Sequence, residues 1–73
     1  MENDLYERLL LLCCAEWEIS LEAVKSEKRY ADCVFCRTCF IKIAKEHYGL
    51  GFDKIGSFIN RTRSNCNYLY NKN

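Results

Sequence analysis

From Asp4 to Trp17 the apolar residues Leu5, Leu9, Leu12 and Cys13 recur at helical spacing, with Glu7, Arg8 and Glu16 between them. The pattern predicts an amphipathic helix with Asn3 as its cap. Ser20 precedes Leu21 and places Glu22 in a first turn, so a short second helix is expected from Ser20 to Ser26, followed by a connection through Lys28, Arg29 and Tyr30. Ala31 to Tyr48 carries the clearest period: at about 100° per residue, Cys33, Cys36, Phe40, Ile43, Ala44 and His47 fall on one stripe, and Thr38, Lys42 and Lys45 lie opposite. Gly49 suits the left-handed cap that would stop this helix. A short helix with Ile55 facing inward is expected over Phe52 to Phe58, with Asn60 and Arg61 forming the next turn. Thr62 can then cap a last helix from Arg63 to Asn71 that buries Cys66, Leu69 and Tyr70.

The elements add up to an all-α fold, a small helical bundle of four or five helices forming a single domain over residues 1–73. The absence of proline and the presence of only three glycines leave too little turn chemistry for a many-stranded sheet. A short helix, a tight turn and a capped helix make up the helix-turn-helix plan, although such hairpins also occur in proteins that do not touch DNA. A core this small leaves no room for a separate catalytic domain or an ATP-binding module, so the chain is expected not to be an enzyme and to need no cofactor. The longest apolar run, Leu9 to Ala15, falls far short of the roughly 20 residues that span a bilayer, and no membrane association is expected.

The net charge of +1 conceals a division along the chain. Residues 1–23 hold six acids against Arg8, a balance of −5, whereas residues 24–73 hold ten bases against four acids, a balance of +6. The second part alone is suited to a polyanion. Six cysteines with no export signal point to reduced thiols in a cytoplasm. Cys33, Cys36 and Cys39 form C-x-x-C-x-x-C, so a cysteine-ligated metal or redox site is a rival reading, with Cys13, Cys14, Cys66 or His47 as further ligand. On a continuous helix the three thiols spread over about 120° of surface, and Cys33 and Cys36 take core positions, so no metal site is expected. His47 reads as a core-edge histidine.

With these elements in place, Ile19 to Tyr70 resembles the C-terminal duplex-binding domain (domain IV) of the bacterial chromosomal replication initiator DnaA, a TrpR-like helix-turn-helix. The segment "ISLEAVKSEKR" is similar to that family's helix and basic loop, and "CRTCFIKIAKEHYGLGFDKIGSF" to its arginine-bearing long helix and the one that follows. Ile55 and Gly56 match the family's Ile-Gly pair, and "NRTRSNC" stands in the place of its signature Arg-Asp-His-(Ser/Thr)-Thr-Val. Arg61 and Ser64 keep that signature, while Thr62, Arg63, Asn65 and Cys66 depart from it. The resemblance implies double-stranded DNA as the partner and replication initiation or its regulation as the setting. It further implies that Arg37 holds phosphate and that Arg29 enters the minor groove, with Lys28 and Lys45 as supporting phosphate contacts. The replaced signature residues still suit DNA: Arg63 can pair with guanine, Asn65 or Asn67 with adenine, and Ser64 with phosphate or a base edge. Thr62 would leave a helix N-terminus aimed at phosphate. Without the family, Lys28 and Arg29 read equally well as solvated charge, and Arg37 as a surface salt bridge.

Residues 1–18 form an extra N-terminal helix in this reading, and 19–71 the family-like region. The family's ATPase module is expected to be missing, which would leave a stand-alone domain. The Leu5, Leu9 and Leu12 stripe, flanked by Tyr6, Leu10, Cys14 and Trp17, is either packed in the core or a face for a homodimer or protein partner. An interaction module that has lost DNA binding is a further alternative.

Overall fold

The computed structural model describes residues 2–26 and 31–72, with side chains from Asp4 onward. Lys28, Arg29 and the basic connection lie outside the described residues. Among the described residues there are five α-helices: α1 (Glu2–Glu16), α2 (Leu21–Lys25), α3 (Ala31–Tyr48), α4 (Phe52–Ile59) and α5 (Arg63–Asn71). The fold is all-α, as the periodicity predicts. α3 is the central element, with α1 and α2 packed on one part of it and α4 and α5 on another.

The ends of these helices follow local chemistry. Ser20 Oγ accepts the Ala23 amide at 3.1 Å and caps α2. Gly49 takes the left-handed conformation (φ 67°) that ends α3, and the Leu50 amide folds back onto the Ala44 carbonyl at 3.1 Å. α1 stops without a glycine: Glu18 adopts φ 55°, and the Glu18 and Ile19 amides bond the Ala15 and Cys14 carbonyls at 3.2 and 3.0 Å. These paired bonds close a Schellman motif, which outweighs a left-handed cost of about 1–2 kcal/mol. Asn3 lies inside α1 rather than capping it.

The core is built around Leu10, Val24, Cys36, Phe40, Ile41, Ile55, Ile59 and Cys66, all essentially inaccessible to solvent. Two faces differ from the sequence-based expectation. On α1 the buried residues are Tyr6, Leu10, Cys13 and Cys14, whereas Leu5 and Leu12 are 47% and 67% exposed. The buried stripe is thus the expected one moved along by a single residue. Both stripes are apolar, and the choice goes to the one that sets Tyr6 edge-on to Tyr48 and Phe58, with centroids at 5.6 and 5.9 Å. On α3, Arg37 and Ile41 enter the buried set, while Ile43 is half-buried and His47 is exposed, so His47 is not the core-edge histidine expected. Thr38, Lys42 and Lys45 are likewise half-buried rather than fully outward.

Cys13, Cys14, Cys33 and Cys36 are buried on α1 and α3, with Cys39 half-buried beside them, and all are free thiols. Burial, reinforced by Cys39, pushes the Cys13 thiol from its ordinary value near 9 up to about 12, and burial raises Cys14, Cys36 and Cys66 as well. The folded state therefore holds these protons where the unfolded chain would release them. Stability from this source is complete well below pH 9 and declines as pH rises through 9 toward 12. The melting temperature is expected to be flat from pH 7 to about 8.5 and to fall steeply above it. Replacement of the buried cysteines by alanine should flatten that alkaline limb, and an equally steep limb in such a variant would count against the thiols as its cause.

Candidate nucleic-acid interface

α4, the turn at Asn60 and Arg61, and α5 form a helix-turn-helix hairpin. Gly56 in α4 makes its tight turn feasible: a Cβ there would run into the Arg61 carbonyl oxygen and stand 3.4 Å from Cys66 Sγ. Asn60 takes the left-handed conformation (φ 56°, ψ 48°), tolerated because its short polar side chain can bond locally. The Arg61 amide returns to the Gly56 carbonyl at 2.9 Å. Thr62 Oγ1 then accepts the Asn65 amide at 3.1 Å and starts α5.

Cys66 and Leu69 turn inward from α5, while Arg63, Ser64, Asn67, Tyr68 and Asn71 are exposed. Asn71 Nδ2 donates to the Asn67 carbonyl at 2.9 Å and to Asn67 Oδ1 at 2.6 Å, which orients the Asn67 amide on the outer face. From Asn60 to Lys72 the chain carries Arg61, Arg63 and Lys72 and no acid. The side chains that α5 itself exposes are therefore hydrogen-bonding and cationic groups.

Beside α5 runs an open groove of about 790 Å³. Val34 and Arg37 of α3 form one side, Asn60, Arg61 and Thr62 one end, and Asn65, Tyr68 and Lys72 the other side. The structure thus brings together four expected site residues, Arg37, Arg61, Thr62 and Asn65, and adds Asn60, Tyr68 and Lys72, which the sequence reading did not select. Helical spacing carries the signal for Tyr68: it lies two positions beyond the buried Cys66 and one before the buried Leu69, and so points away from the core.

Arg37 is corrected from a surface arm to an interior residue, only 2% exposed. Its Nε donates to the Val24 carbonyl at 2.7 Å, and its Nη2 to the Ser26 and Ala23 carbonyls at 2.9 and 3.3 Å. Arg61 Nη2 donates to the same Ser26 carbonyl, and Asn60 Nδ2 reaches the Lys25 carbonyl at 3.4 Å. The open carbonyl end of α2 is thereby held by two guanidinium groups and an amide, charges of the sign that a helix C-terminus favours. Burial first, and the Arg61 charge second, lower the Arg37 pKa from its ordinary value. The consequence is geometric: Ser26, the last described residue before the basic connection, is fastened to the helix-turn-helix turn.

Lys45 stands apart from the groove, with its ammonium over the Phe52 ring at 4.8 Å. Cys33 and Cys36 are core residues of one uninterrupted helix, and among the described residues no three His, Cys, Asp or Glu side chains are grouped to hold a metal ion. No helix among them is long and apolar enough to cross a membrane. No protein-family model, curated protein or solved structure matches this chain.

Proposed function

We propose that this domain binds double-stranded DNA by laying α5 in the major groove, in keeping with its resemblance to the DnaA duplex-binding domain. The observation that carries the reading is the acid-free outer face of α5, presented by a capped N-terminus and a turn closed over Gly56. A helix of about 10–12 Å diameter fits a major groove about 12 Å wide. Arg63 pairs with guanine O6 and N7, and Asn67, oriented by Asn71, pairs with adenine. Ser64 contacts phosphate or a base edge. Binding is non-covalent and without cofactor, in a reducing cytoplasm, and serves replication initiation or its regulation.

The test is selection of bound duplexes from a random library at low and near-physiological salt, because specific contacts survive where purely electrostatic ones fade. Wild type should enrich a motif at both salts. Arg63→Ala should lose discrimination of about 1–3 kcal/mol at one base pair while keeping general affinity. A folded protein with no duplex affinity at low salt would overturn the reading. The exposed Leu5, Leu11 and Leu12 of α1 would then favour a protein-interaction module.

A further inference from the structure

The faces of α5 divide into two sets. At 100° per residue, Arg63, Asn67, Asn71 and Ser64 share an arc of about 100°, and Tyr68, Lys72 and Asn65 occupy the next arc of about 60°. The first arc faces outward; the second forms a wall of the groove against Val34 and Arg37. Tyr68 is 60% exposed and contributes nothing to the core, and the Lys72 ammonium lies 5.8 Å from its ring centroid. The groove thus offers an aromatic wall flanked by an ammonium, with Arg61 at its end and no acid among the described residues that line it.

We propose that this groove seats one sugar–phosphate strand of the duplex whose major groove α5 enters. The inference rests on the duplex reading of α5 and adds two residues to it, Tyr68 and Lys72. A helix that fills a major groove has a backbone strand on either flank, and the flank formed by Tyr68 and Lys72 borders this groove. Lys72 meets a phosphate with a single, freely rotating charge. The Tyr68 ring packs on the adjoining deoxyribose, and Arg61 extends the positive field to the next phosphate toward Thr62. These contacts fix position along the duplex and read no sequence.

The experiment measures anisotropy of a labelled mixed-sequence duplex of about two helical turns, and of one of its strands alone, between roughly 50 and 200 mM salt. Wild type (residues 1–73), Lys72→Ala, Tyr68→Ala, Tyr68→Phe and Arg63→Ala are compared, with melting temperatures as the folding control. Lys72→Ala should weaken duplex binding about threefold to tenfold and reduce the magnitude of the salt slope by about 0.9, the loss of one phosphate contact. Tyr68→Ala should weaken it about threefold with the slope unchanged, and Tyr68→Phe should bind as wild type. Wild-type affinity and slope in both the Lys72→Ala and Tyr68→Ala variants, with duplex binding by wild type intact, would overturn the groove assignment and leave α5 as the DNA reader. A strand bound more tightly than the duplex, with the larger Tyr68 dependence, would overturn it in favour of base stacking. No duplex binding by wild type at low salt would overturn both readings.

Discussion

Arg37→Ala is expected to lower the stability of the domain by several kcal/mol, because each buried carbonyl left without its donor costs about 1–3 kcal/mol. The side chain is interior, and its guanidinium meets three carbonyls at the end of α2. Alanine would leave those acceptors beside a cavity, and α2 has only five residues with which to hold its place. For a domain with about 5–15 kcal/mol in total, such a loss approaches unfolding at physiological temperature. Urea denaturation is the direct measurement. Arg37→Lys should recover only part of the loss, because one ammonium cannot match a planar fork spread over three carbonyls. A variant with an unchanged urea midpoint would show that water replaces the guanidinium without cost. Any loss of duplex affinity in Arg37→Ala is expected to follow unfolding, so binding has to be compared below its melting temperature.

Gly56→Ala is expected to destabilise by about 1–3 kcal/mol, the cost of overpacking a close contact. The sign is informative, because the same change in an unencumbered helix interior stabilises by about 1 kcal/mol. Here the new methyl group meets the Arg61 carbonyl, which is backbone and cannot swing aside like a side-chain tip. α4 and the turn must separate, and with them the alignment of Thr62 and Arg63. The variant should therefore lose duplex preference by more than its melting temperature alone explains. Stabilisation by Gly56→Ala would mean that the turn opens freely, and the helix-turn-helix geometry would no longer account for the placement of α5.

Most of the architecture was legible because its signals are local. Ser20 and Thr62 cap helices with bonds to residues three positions on, and Gly49 ends α3 with a backbone angle that glycine adopts cheaply. The turn at Asn60 and Arg61 was legible for the same reason. The face of α1 was not, because Leu9 to Cys14 is apolar all the way round the helix and periodicity alone cannot choose between two adjacent stripes. The position of Arg37 was missed because arginine reads as a surface residue, and nothing nearby in sequence announces that its acceptors lie 11 to 14 residues away. The same holds for Tyr68 and Lys72. Their exposure follows from helical spacing, but their role as a wall depends on where Val34 and Arg37 stand across from them.

The sequence by itself determined the helical class, the ends of α2 to α5 and the cationic, acid-free character of α5, since caps, periodicity and charge are properties of neighbouring residues. Only the tertiary structure decided which face of α1 is buried, that Arg37 and Arg61 converge on the end of α2, and that a groove runs beside α5. Each of these depends on contacts between residues distant along the chain, where packing complementarity, rather than local preference, selects among arrangements of similar hydrophobicity.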